Sequence, residues 1–538
     1  MNKIFLVILS ILLLILPILL LTTNSLAQWY RETTFYQIFP RSFYDTDGDG
    51  IGDIRGIIQK LDYIKSLGVG GIWLNPTFPS PSYHGYDVTD YYNVNPQLGT
   101  LEDMKELIKQ ADKRGIKILL DLVINHTSSE IEWFKKSEQK DVFFNDWYIW
   151  VDKIPNIEGK IGWSKPWTRG NSPWEVWSYS RVRKEYYYSA FWSGMPDLNF
   201  RNPNVVNEIY KIARYWLEIG VAGFRLDAIR YLVETGPGEG QADTDENIIV
   251  VKNFNEFCKK VNPNSFNIGE VWTANETVYK YKDAIDGCFD FELRETISST
   301  VGFGPKVGRF SQYIQGMLNL TKSVKNWKFF YPFSSNHDVT RVHNLLIRRP
   351  ENFERLKMFY TILFTLPSNP FIYYGDEFGM VNSPYLRGDM AYRDPMVWEN
   401  SEKVGFTTGT PWTYVNPDPI INLQTQKNDK NSVFNHFLKM SSIRNKHKTL
   451  IYGDIKVLTN STFGRVVSFA RYSDTNAYII IVYPYPSETN TTIYIDNEIL
   501  KIVSNKTGLD LINNTKITIT NNEIYLELKQ YTNMILQF

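Results

Sequence analysis

The chain is poor in cysteine: Cys258 and Cys288 are the only two in 538 residues. That excludes a disulfide-built scaffold and any CxxC metal or redox site; an oxidising compartment would allow the two to pair, but they read as two buried thiols. Neither charge is in excess, with 58 Lys plus Arg against 58 Asp plus Glu. A neutral balance gives no electrostatic reason to expect nucleic acid or an anionic membrane surface as partner. The sequence also lacks a basic run, a coiled-coil heptad, a solenoid repeat, a phosphate-binding glycine loop and a Ser-His-Asp order. Beyond Leu21 no stretch is apolar enough to cross a bilayer.

What is present begins at the N-terminus. Lys3, an apolar run from Ile4 to Leu21 and then Ser25-Leu26-Ala27 read as an export signal over residues 1–27, which implies a secreted or periplasmic protein. The run is about long enough to span a membrane, so an uncleaved anchor is the alternative. Aromatic residues make up 15% of the chain, and eight of the fifteen tryptophans fall between Trp133 and Trp192. Neutral and aromatic suits an uncharged, ring-shaped ligand such as a sugar. Residues 45–53, DTDGDGIGD, set Asp45, Asp47 and Asp49 at positions 1, 3 and 5 of a calcium-loop spacing, with the Ile51 carbonyl at 7. Position 12 is Gly56 rather than Glu, but Asp53 can add a carboxylate, so a compact Ca2+ site within another fold is expected.

From about residue 54 one unit recurs: an amphipathic helix, a glycine, a short apolar strand and a polar or acidic residue. Strands are expected in TTFYQIFP, GIWLNP, IKILLD, VAGFRLD, FNIGE, DGCFDFEL, FFYPFSSNHD and PFIYYGDE, ending in a succession of acids that includes Asp121, Asp227, Glu270, Asp290, Asp338 and Asp376. Eight alternations predict an α/β protein, a (β/α)8 TIM barrel over 28–126 and 201–447, with chemistry at the C-terminal strand ends. The Trp-, Tyr- and Pro-rich stretch 127–200 breaks the period and reads as a small domain inserted after strand 3. Residues 448–538 alternate polar and apolar between Asn-rich turns, as a C-terminal antiparallel β-sandwich does.

Carboxylates gathered at one barrel mouth beside an aromatic wall are what glycosidic cleavage needs: one acid to protonate the leaving oxygen, another to attack or to position water. DLVINH (121–126), GFRLD (223–227), GEVW (269–272) and NHD (336–338) resemble, in order and spacing, the four signature segments of the α-amylase family. MPDLN (195–199) and HGYDVTDY (84–91) resemble two further segments, and the similarity runs from about residue 29 to the end.

The resemblance implies that Asp227 is the nucleophile, Glu270 the general acid and base, and Asp338 the third carboxylate of a retaining mechanism. It implies that Tyr86, His84, His126, Arg225 and His337 contact or frame the sugar, and that Asp121 organises the mouth by bonding Arg225. Asn125 matches a ligand of a second, interdomain calcium, whose remaining partners have no counterpart here. MPDLN is intermediate between the oligo-1,6-glucosidase and neopullulanase branches. Ala228 after the nucleophile and Tyr83 in place of an exo-enzyme aspartate point to internal α-1,4 cleavage of starch, glycogen or maltodextrins by a monomer. The Arg393–Trp398 segment and Arg230-Tyr231 point instead to an exo-acting α-glucosidase, oligo-1,6-glucosidase or neopullulanase-like enzyme. A non-catalytic transporter subunit would lack the full carboxylate set.

Overall fold

The computed structural model describes residues 29–155, 162–168, 175–302, 304–346, 353–462, 464–503 and 507–538. The expected export signal, residues 1–27, lies outside the described residues. Among the described residues, no helix is long and apolar enough to cross a membrane.

Each apolar run followed by a polar stop forms a strand. β1 (Thr34–Ile38), β2 (Val69–Leu74) and β3 (Lys117–Leu122) come first, and β4 (Trp150–Val151), β5 (Trp177–Tyr179) and β6 (Tyr186–Tyr188) follow in the tryptophan-rich stretch. Then come β7 (Gly223–Leu226), β8 (Phe266–Gly269), β9 (Gly287–Phe289), β10 (Phe330–Tyr331) and β11 (Phe371–Tyr373). Leaving out β4 to β6, these make one parallel eight-stranded sheet in the order β10-β9-β8-β7-β3-β2-β1-β11. Its two edges meet where Ser334 N donates to Phe371 O at 3.0 Å and Phe371 N to Pro332 O at 2.8 Å. The barrel is thereby closed, and its eight strands are those read from the sequence.

The helices between the strands start and stop on chemical signals. Thr100 and Asp103 form a reciprocal capping box at the head of Leu101–Lys113. Asn202 caps Pro203–Ile219, which stops at Gly220 with φ 115°, a conformation that favours glycine. The barrel lumen is filled by aromatic rings: Phe35 stacks on Phe371 at 4.3 Å, and Trp73 sits 5.3 Å from Phe289. Gly71 makes room for this filling, because a β-carbon there would meet the Phe35 ring at 2.6 Å.

β4, β6 and β5 pair antiparallel as a separate small sheet between β3 and β7. The C-terminal strands are β12 (Asp454–Val457), β13 (Val467–Tyr472), β14 (Ala477–Tyr483), β15 (Thr489–Tyr494), β16 (Thr507–Asp510), β17 (Lys516–Thr518), β18 (Glu523–Leu528) and β19 (Thr532–Gln537). They form a six-stranded sheet and the separate β15–β18 pair. Ile479, Ile481, Ile493, Ile524 and Leu536 from the two layers share one buried cluster. Cys258 and Cys288 are buried and free.

Candidate active site

Asp227 follows β7, Glu270 follows β8, and Asp338 lies beyond β10 at the same rim. All three line one cleft of about 820 Å³. Their convergence is organised from below by Arg225 on β7. Its Nη1 donates to Asp227 Oδ1 at 2.6 Å and Asp121 Oδ1 at 2.9 Å, and its Nη2 to Glu270 Oε2 at 2.7 Å. Beneath the guanidinium lies the Trp73 ring, 5.0 Å away, whose indole N–H reaches Asp121 Oδ2 at 3.2 Å. The filled lumen therefore carries the charge network directly.

The environment separates the two central acids. Burial pushes Glu270 up to about 8, against the pull of Arg225 and with added repulsion from Asp227, so it holds a proton at neutral pH. Burial also raises Asp227, but Arg225 opposes that shift and favours its charged form. Asp338 is held well below the usual carboxylate range: burial opposes its charge, but the His337 N–H and the Arg393 guanidinium outweigh it. Those contacts are His337 Nε2 to Oδ2 at 2.9 Å and Arg393 Nη2 to Oδ1 at 2.8 Å.

Of the residues expected to meet sugar, Tyr86, His84 and His126 line the cleft. Tyr86 donates its hydroxyl to Asp121 Oδ2 at 2.9 Å, which fixes its ring at the edge of the carboxylate group. His84 Nδ1 accepts from the Tyr86 N–H at 3.1 Å, leaving Nε2 to carry the proton. Burial pushes His126 down to about 3, so its imidazole is neutral, and among the described residues its buried Nε2 has no hydrogen-bond partner of ordinary geometry.

Arg225 and His337, also expected to contact or frame the sugar, lie deeper. Both are fully buried and neither lines the cleft. Gln37 Nε2 lies 2.9 Å from His337 Nδ1, so His337 Nε2 carries the proton, facing the Tyr86 hydroxyl and, at 2.9 Å, Asp338 Oδ2. These two residues position carboxylates. The strand-end acids divide as well. Asp290 caps the helix Phe291–Val301 through Leu293 N at 2.9 Å, and Asp376 is held by Arg341 at 3.1 Å and Ser334 Oγ at 2.7 Å. Both are buried away from the cleft, where an acid needs a protein partner.

The sequence reading gave no role to Gln37, which sets the His337 tautomer, or to Asp389, which lines the cleft. Arg393 was visible only as part of a segment; no local pattern marks it as the partner of Asp338.

The acidic loop partly fits a cation. Asp45, Asp47 and Asp49 each offer a carboxylate oxygen within 4.8 Å of the others, a crowding of like charge that a divalent cation would relieve. Asp53 stands apart. Its Oδ1 accepts from Gly56 N at 2.7 Å as the cap of the helix Ile54–Gln59, and its Oδ2 from Thr46 N at 2.7 Å. No oxygen of Asp53 belongs to the group that lies within 4.8 Å. The loop is also tied across the barrel: Asp45 N donates to Phe406 O at 3.0 Å and Trp412 N to Gly50 O at 2.9 Å.

Residues 37–453 match the family model "Alpha amylase, catalytic domain". The chain belongs to the α-amylase family. Alpha-amylase 3 of Dictyoglomus thermophilum is 38% identical over 80% of this chain and 80% of its own length. An oligo-1,6-glucosidase of Parageobacillus thermoglucosidasius is 33% identical over 79% of this chain and 85% of its own. The crystal structure of an α-amylase from H. orenii superposes with a TM-score of 0.78 and 35% identity, covering 94% of this chain and 99% of that one. As a member of the α-amylase family the protein is a glycoside hydrolase. The similar proteins also include two further oligo-1,6-glucosidases, an α-glucosidase and a trehalose-6-phosphate hydrolase.

Proposed function

We propose that the protein is a retaining hydrolase of α-glucosidic bonds in maltodextrins, starch or glycogen. The observation that carries this is the pair of acids on one guanidinium, Asp227 Oδ1 at 2.6 Å and Glu270 Oε2 at 2.7 Å from Arg225, with burial pushing Glu270 up to about 8 while Arg225 opposes the same push on Asp227. Asp227 attacks the anomeric carbon while Glu270 gives its proton to the departing glycosidic oxygen, leaving a covalent glycosyl-enzyme. Glu270, now a carboxylate, takes a proton from water, which displaces Asp227 and regenerates both groups with retained configuration. Asp338, ionised throughout, faces the positive charge that develops on the ring between these steps. His126 Nε2 and His84 Nε2 serve hydroxyl groups of the same sugar.

Two features favour internal α-1,4 bonds. Ala228, on the cleft wall with φ 49°, presents only a methyl group beside the nucleophile. Tyr83, where the family resemblance would put an aspartate in an exo-acting enzyme, accepts from Arg393 Nη1 at 3.2 Å. The second reading, an exo-acting α-glucosidase, is the one that most of the named relatives favour. Export by residues 1–27, a monomeric state and a structural Ca2+ at Asp45, Asp47 and Asp49, with the Ile51 carbonyl as a further ligand, complete the proposal.

A time course on maltoheptaoside blocked at its non-reducing end tests it. Early mid-chain products support internal cleavage; absence of cleavage of the blocked substrate, with glucose released only from unblocked chains, supports the exo reading. Asp227→Asn should lower turnover by about 10⁴- to 10⁶-fold with sugar binding retained; near-wild-type turnover would refute the assigned nucleophile.

A further inference from the structure

The cleft has two ends, distinguished by the proposed acid. Glu270 protonates the leaving oxygen, so its side of the rim, where Arg230 Nη1 bonds the Trp272 carbonyl at 2.6 Å, faces the departing sugar. Asp338, with Arg393, Asp389 and Tyr83 around it, faces the sugar that stays. Arg393 ties this second side together, reaching Asp338 at 2.8 Å, Asp389 at 3.0 Å and Tyr83 at 3.2 Å.

Behind that wall stands a further aromatic ring. Tyr83 stacks on Trp412 at 5.6 Å with the planes 27° apart, and Trp412 is fixed from behind by its indole N–H on Ser42 Oγ at 3.1 Å. Two residues past Trp412, Tyr414 meets Tyr385, which lies four residues before Asp389. The two rings are 4.3 Å apart, yet Tyr385 is 67% and Tyr414 42% exposed. Single exposed apolar residues need no explanation, but two rings in contact on separate loops form a patch. Each loop also carries a residue of the cleft wall or its backing.

We infer that Tyr385 and Tyr414 form an outer binding site for an α-glucan chain whose inner residues occupy the cleft, on the side of the retained sugar. The chemistry fits an uncharged polymer of pyranose rings: their C–H faces lie on aromatic rings, and the tyrosine hydroxyls remain available to sugar hydroxyls. A chain too short to reach past Tyr83 gains nothing from the pair. The inference rests on the reading of the cleft as one that cleaves α-glucan chains internally.

The experiment compares kcat and KM for maltotriose and maltoheptaose in the wild type, in Tyr385→Ala/Tyr414→Ala and in Tyr385→Phe/Tyr414→Phe, with Tyr525→Ala as an exposed control on the C-terminal domain. The alanine variant is expected to lose about tenfold more kcat/KM on maltoheptaose than on maltotriose, through KM, and the phenylalanine variant to retain most of the preference. An equal loss on both substrates, or none on either, overturns the inference while leaving hydrolysis intact. A wild type that cleaves neither oligosaccharide overturns this inference and the proposed function together.

Discussion

Arg225 Nη2 lies 2.7 Å from Glu270 Oε2, while Nη1 of the same guanidinium lies 2.6 Å from Asp227 Oδ1. One buried cation thus fixes the spacing and the charge of two acids with opposite duties. Arg225→Lys would keep a positive charge but lose the planar fork, and kcat/KM should fall about 10²- to 10³-fold. Because the Arg225 hydrogen bond is part of what lowers Asp227, its loss should also move the acid limb of the pH profile to higher pH. A variant that loses thermal stability but keeps the limb in place would reduce Arg225 to a structural role.

The pH profile of the wild type has a stated direction. Only protonated Glu270 can serve as acid, and burial pushes its carboxyl up to about 8. In the free enzyme, kcat/KM should therefore decline as pH rises through about 8. Asp227, raised above its ordinary range, sets the acid limb above the pH at which an exposed aspartate ionises. A rate that stays level to pH 10 would contradict the assignment of Glu270.

A calcium loop predicts a thermal effect without a step in the chemistry. Removing the ion with a chelator should lower Tm by a few degrees, reversed by added Ca2+. Asp47→Asn/Asp49→Asn should abolish the response, and Asp53→Asn, which retains a cap for the helix, should preserve it. Scanning calorimetry with and without chelator reads all three; an unchanged wild-type Tm would remove the ion from the account.

Glu377 offers a test of stability away from the cleft. It is fully buried, accepts from Tyr36 OH at 2.7 Å and from Tyr63 OH, and burial pushes it up to about 7. Its folded pKa exceeds its unfolded value near 4.5. The associated stability is full below that unfolded value and is lost as pH rises through about 7, with an upper bound of about 3 kcal/mol. Glu377→Gln keeps an acceptor for the tyrosines and should flatten the fall in Tm between pH 5 and pH 8. An unaltered slope would rule Glu377 out as its source.

The barrel was legible because each strand is a short apolar run ended by a polar residue, a pattern that needs no tertiary information. The convergence of 227, 270 and 338 followed from the rule that such ends face one rim. Less legible were residues whose chemistry serves two purposes. Asp53 and Asp290 cap helices with the same carboxylate that a metal or a sugar would use, so local sequence could not assign them. His337 sits next to Asp338 and reads as a contact to substrate, but only the fold brings Gln37 to its other nitrogen and turns it inward.

Trp73 belongs both to the aromatic filling of the barrel and, through Arg225 and Asp121, to the floor of the cleft. Thermotolerance and rate are for that reason difficult to engineer independently here. A substitution that tightens or loosens the rings around Phe35 and Phe371 also shifts the support on which the reacting groups stand. Variants selected for heat resistance from this region should carry altered turnover, although none of the changed side chains touches a sugar.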